Sequence, residues 1–147
     1  MKKDRSAITS LVCVIIFGIV LLFLAFTAPQ MTRIFMKFFN RPETVFIPIV
    51  ATFYSIFPFA AAVLVCLTKL LFNILNDKTF IKTNVKLLRA ISILLFIATL
   101  IFFASSFFMP SFWLLMVCAA FMVLIVRVVK NCFAAAVILK DENELTI

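Results

Sequence analysis

The sequence predicts an all-α integral membrane protein, a four-helix bundle with both termini in the cytoplasm. Three observations predict it. No Lys, Arg, Asp or Glu occurs in residues 6–32, 44–68 or 90–126, and the chain has no His. The third of these runs is interrupted by Ser105, Ser106, Pro110 and Ser111, between the apolar blocks 91–103 and 112–126. The 14 Lys and Arg residues gather mostly on one side of the spans so defined.

An α-helix rises about 1.5 Å per residue, so about 20 apolar residues cross a hydrocarbon layer of roughly 30 Å. The first two runs each suffice for one crossing and the third for two. The spans are therefore placed at about 7–28, 45–72, 90–108 and 112–130, with the last helix continuing to about residue 139. With 66% hydrophobic residues and 20 Phe among 147, nothing is left over for a separate water-soluble unit. The whole chain, 1–147, reads as a single transmembrane domain.

The first span follows Lys2, Lys3, Asp4 and Arg5, which resembles the basic start of a signal peptide. Its apolar run from Ala7 to Phe26 exceeds the roughly 7 to 15 residues usual in such peptides. It is read as an uncleaved helix, although Ala25-Phe26-Thr27 forms a weak cleavage pattern. Orientation follows from the tendency of Lys and Arg to stay cytoplasmic. With the N-terminus inside, eleven of the 14 are cytoplasmic, and only Arg33, Lys37 and Arg41 lie outside. The net charge of +8 then reflects attraction to anionic lipid headgroups, about 1 kcal/mol for each cation near the surface, and not direct nucleic-acid binding.

The first loop carries Met31, Ile34, Phe35 and Phe38 at helical spacing, with Arg33, Lys37 and Arg41 on another face. That pattern predicts a short amphipathic helix in the outer interface, its rings among acyl chains and its cations among phosphates. In the second span Pro58 is expected to kink the helix. Ala51, Ser55, Pro58, Ala62 and Cys66 recur there every three or four residues, a seam on which a second helix of the bundle, or a second copy in a homo-oligomer, approaches closely.

The second loop joins the turn formers Asn73, Asn76 and Asp77 to another amphipathic pattern, with Thr79 or Thr83 as candidate helix caps. Ile81, Val85 and Leu88 form its apolar face. Lys78, Lys82, Lys86 and Arg89 form a basic track, suited to lipid headgroups or to an acidic cytoplasmic partner. The fourth helix has no Gly or Pro to stop it beyond Arg127 and Lys130, and it leads into the acidic residues Asp141, Glu142 and Glu144. That tail is expected to lie against the basic second loop, through contacts worth about 0 to 1 kcal/mol each.

No ionisable acid or base lies inside a span, which removes the usual proton relays, metal-water sites and coupling carboxylates. With Gly18 the only glycine, neither a phosphate-cradling loop nor a dinucleotide fingerprint can be built. Cys13, Cys66, Cys118 and Cys132 contain no closely spaced pair of the kind that redox and metal sites use. Hydroxyls such as Thr52, Tyr54, Ser55, Ser92 and Thr99 can bond to carbonyls of their own helices. The chain is therefore expected to be no enzyme and to bind no cofactor or metal.

Residues 78–91, Lys-Thr-Phe-Ile-Lys-Thr-Asn-Val-Lys-Leu-Leu-Arg-Ala-Ile, and the ending Asp141-Glu142-Asn143-Glu144-Leu145-Thr146-Ile147 resemble the bacterial membrane family named domain of unknown function 2975. Its members have four helices, a Phe, Asn, Leu, Arg pattern before the third span, and an acidic tail ending near Leu-Thr-Ile. Many have Gly and Pro before the Phe, where this chain has Lys78 and Thr79. The resemblance covers nearly the whole chain and implies the bacterial cytoplasmic membrane, but no activity. Family genes commonly neighbour small helix-turn-helix regulators, which implies by analogy a cytoplasmic partner of that kind. The function expected is an interaction protein that holds such a regulator through Lys78 to Arg89 and the acidic tail. Two other readings stand beside it. One is protection against envelope stress or a peptide toxin through Arg33 to Arg41, and the other is an accessory subunit of a larger membrane complex.

Overall fold

The computed structural model describes the backbone of residues 2–145 and the side chains of residues 8–145. Thr146, Ile147 and the side chains of the basic start at Lys2, Lys3 and Arg5 lie outside the described residues. Four long helices account for nearly all of it: α1 (Lys2–Phe38), α2 (Phe46–Leu75), α3 (Lys82–Ser106) and α4 (Ser111–Leu145). Each is long and apolar enough to cross a membrane, and the protein is a multi-pass membrane protein. The helices pack in chain order, α1 on α2, α2 on α3 and α3 on α4. The start of α1, the α2–α3 connection and the end of α4 consequently share one end of the bundle.

The amphipathic segments expected as short helices in the first two loops are not separate elements. Arg33 and Lys37 lie in the last turns of α1, and Lys82, Lys86 and Arg89 in the first turns of α3. The first loop shrinks to a turn and one short 3-10 helix, Glu43–Val45. The first helix passes its expected end at about residue 28 and contains Pro29, whose ring leaves the Ala25 carbonyl without an intrahelical donor. The structure supplies another donor: Tyr54 Oη of α2 lies 3.1 Å from the Ala25 carbonyl. An α1 of 37 residues is about 55 Å long, more than a hydrocarbon layer requires.

Of the three helix ends that lead into turns, those of α1 and α2 close through a left-handed residue other than glycine. At the end of α1, Asn40 takes φ 47°, Arg41 N donates to Met36 O at 3.0 Å and Asn40 N to Lys37 O at 3.5 Å. At the end of α2, Asp77 takes φ 56°, Lys78 N donates to Asn73 O at 2.9 Å and Asp77 N to Ile74 O at 3.2 Å. These are two Schellman closures, and Asn and Asp are the side chains besides Gly that best tolerate the left-handed position. Neither Thr79 nor Thr83 caps α3; Ile81 holds the N-cap position and offers no side-chain acceptor.

Among the described residues polar side chains are buried beside apolar ones, and many large apolar side chains face outward. Thr32, Thr52, Asn84, Ser92, Ser105 and Ser106 are buried, whereas Phe17, Phe26, Leu114 and Phe121 are exposed. Acyl chains are as apolar as Leu, so nothing drives hydrocarbon side chains inward, and polar groups find their partners inside. Thr52 Oγ1 of α2 lies 2.7 Å from Ser105 Oγ of α3 and also donates to Pro48 O. Nearby, Ile49, Met109 and Phe112 form a small apolar core against Phe35, Val45 and Phe102.

Candidate functional site

At the end that carries the α2–α3 connection, the most enclosed side chain of the protein is Asn84, with no exposed surface. It occupies the first turn of α3, one turn before Leu88 and two before Ile91, both buried. Its carbonyl oxygen accepts a bond from Asn73 Nδ2 of α2 at 2.7 Å. Its amide donates to the carbonyls of Lys78 at 2.9 Å and Thr79 at 2.7 Å. Both donors and one of the two acceptor sites of a single amide are thus spent on fastening the connection to both helices it joins.

The far half of α4 fastens the same connection from outside. Beyond Arg127 the helix continues for about 27 Å as an arm. Phe133, Val137 and Asp141 share one face at four-residue spacing. The Phe133 ring lies 5.7 Å from that of Phe80, Val137 is buried, and Asp141 Oδ2 lies 3.1 Å from Lys82 Nζ. The two ion-pair side chains remain 79% and 49% exposed, so water screens their attraction. Glu144 meets Lys140 of its own helix at 3.8 Å.

Around this fastening, Lys78, Lys86 and Arg89 are exposed, with no carboxylate at ion-pair distance among the described residues. The basic track and the acidic residues therefore occupy one region, joined through Lys82 and Asp141. Lys78 lies in the turn and the other three cations on the solvent side of α3.

At the opposite end, Arg33, Lys37 and Arg41 line a cleft of about 910 Å³ together with Glu43, Phe46 and buried Met36. The Arg33 guanidinium sits 5.5 Å over the Phe46 ring. In the proposed packing seam, Ala51, Ser55 and Pro58 are exposed while Ala62 and Cys66 are half-buried. Close approach of α2 to α3 passes through Thr52, one position along the helix from Ala51. An apolar cavity of about 440 Å³ lies deeper, lined by residues of all four helices including Leu21, Ile56, Leu95 and Ala119.

Sequence reasoning missed Asn84. Its signal was an amide in helical phase with Leu88 and Ile91, on the face that ought to be apolar. Among the described residues no group of His, Cys, Asp or Glu stands close enough to hold a metal. No curated protein and no solved structure matches the chain. The profile of the family described as "Protein of unknown function (DUF2975)" matches residues 34–147, which include all of α2, α3 and α4, the clasp around Asn84 and every lining residue named for the cleft except Arg33. The chain belongs to that family of domain of unknown function 2975.

Proposed function

We propose that the protein is a non-enzymatic interaction protein of the bacterial cytoplasmic membrane that docks a cytoplasmic regulator on the basic connection and the adjoining arm of α4. The termini and the α2–α3 connection then face the cytoplasm. The observation that carries this reading is the combination of a rigid base and exposed charge: Asn84 holds the connection on both sides, while Lys78, Lys86 and Arg89 stand unpaired above it. Preorganised cations favour an acidic partner, because little conformational freedom remains to be lost on binding. The Lys82–Asp141 pair is weak enough for a partner's carboxylate to replace Asp141. A helix-turn-helix regulator encoded beside the gene suits this role.

The test is affinity purification from native membranes of the wild type and of a Lys82→Glu, Lys86→Glu, Arg89→Glu variant. Loss of a helix-turn-helix regulator from the proteins co-purified with the variant is the expected result. Unchanged partners, with lost resistance to a membrane-active peptide in an Arg33→Gln, Lys37→Gln variant, would favour the protective reading instead.

A further inference from the structure

The cleft at the opposite end from the connection lies at the border of two uncharged runs. Arg33 and Lys37 are the first charges after the uncharged run 6–32, and Glu43 precedes the uncharged run 44–68. The cleft therefore sits where α1 and α2 leave the hydrocarbon, at the depth of lipid phosphates. Three cations share it with one acid, and none of these four side chains has an ion-pair partner among the described residues. Its shape is set by the Schellman closure at Asn40 and the short helix Glu43–Val45, which hold Arg41 and Glu43 beside the end of α1. The Arg33 guanidinium is already placed over Phe46, which limits how freely it can swing into solvent.

We propose that this cleft is a binding site for the headgroup of an anionic glycerophospholipid. The phosphodiester bridges Arg33 and Lys37, Arg41 adds long-range attraction, and the Glu43 carboxylate accepts hydrogen bonds from headgroup hydroxyls. Guanidinium and ammonium bonds to phosphate are charge-assisted and strong where water is partly excluded. A cleft of about 910 Å³ has room for a phosphoglycerol headgroup beyond the phosphate itself. The excess of cations over acids selects a lipid with net negative charge over a zwitterionic one.

The experiment is lipid retention by the purified full chain, read by native mass spectrometry after exchange into micelles containing equal phosphatidylglycerol and phosphatidylethanolamine. The wild type is expected to retain phosphatidylglycerol preferentially. An Arg33→Gln, Lys37→Gln variant is expected to retain about tenfold to a hundredfold less, the scale of one to two lost charge-assisted contacts. A Lys82→Gln, Lys86→Gln variant, with the same change of charge at the other end, is expected to match the wild type. Glu43→Gln removes the one negative charge of the cleft and keeps an acceptor oxygen for the headgroup hydroxyls, so it is expected to retain phosphatidylglycerol at least as well as the wild type, and a loss of about tenfold overturns the charge-based assignment. Equal losses in both double variants mean general surface attraction and overturn the site. Preference for phosphatidylethanolamine overturns the anionic assignment, and displacement of the lipid by millimolar inorganic phosphate assigns the cleft to a soluble anion instead.

Discussion

Asn73 of α2 donates a 2.7 Å hydrogen bond to Asn84 of α3, and the bonded pair closes the turn between them from within. The same Asn84 amide holds the Lys78 and Thr79 carbonyls, so one side chain fixes the entry of α3 although its N-cap residue, Ile81, contributes no cap.

Replacing Asn84 should therefore cost more than its size suggests. Asn84→Ala leaves the Asn73 amide and two carbonyls without their partner, at about 1–3 kcal/mol for each group that stays buried and unsatisfied. Asn84→Asp retains the shape but turns acceptors toward acceptors, and is expected to be worse than Asn84→Ala. Unfolding titrations with sodium dodecyl sulfate in mixed micelles rank the two, and equal stability of Asn84→Ala and wild type would contradict the clasp.

Tyr54 and Pro29 are expected to be coupled although they do not bond to each other. Tyr54→Phe removes the donor to the Ala25 carbonyl, and a typical interhelical hydrogen bond in a membrane is worth about 0.6 kcal/mol. In a Pro29→Ala background the restored N–H of residue 29 serves that carbonyl. The cost of Tyr54→Phe should then shrink toward zero. A double-mutant cycle measures the difference, and an unchanged cost in both backgrounds would mean that Tyr54 acts through packing alone.

Orientation can be read at the α3–α4 turn. Ser106 is buried there, so a reporter cysteine belongs at Phe107, which is 75% exposed. With the four native cysteines replaced by alanine, Phe107→Cys is expected to react with an impermeant thiol reagent in intact cells. Labelling only after lysis would reverse the proposed orientation and move the Asn84 clasp away from the cytoplasm.

The spans were legible in the sequence because charge-free length is a direct consequence of the solvent. Their ends were not. The first helix runs on past residue 28 through Pro29, and the Tyr54 hydroxyl that serves the carbonyl freed by that proline comes from another helix. Likewise the basic track Lys82, Lys86 and Arg89 could be placed on a helix, but whether that helix stood apart or opened α3 depended on Asn84. Polar side chains inside an apolar chain announce that they need partners, not which ones. Asn84, Thr52 and Ser105 therefore acquired meaning only with the fold. The site residues at both ends were recognisable as charge patterns, because cations in a membrane chain are confined to its borders.

The contact between the arm of α4 and the connection combines one screened ion pair with apolar packing, and the two parts should separate experimentally. Lys82 and Asp141 are exposed, so their pair contributes about 0–1 kcal/mol and weakens further as salt rises. Phe133 against Phe80 and buried Val137 do not depend on salt. Asp141→Lys is therefore expected to raise trypsin cleavage near Lys82 only modestly, by a factor of a few at low salt, with the difference vanishing near 1 M salt, where the Debye length is about 3 Å. Phe133→Ala should raise cleavage more and equally at both salt concentrations, because it loosens the arm without altering charge. If Asp141→Lys exceeded Phe133→Ala at low salt, charge rather than packing would be what holds the arm, and a partner's carboxylate could not displace it easily.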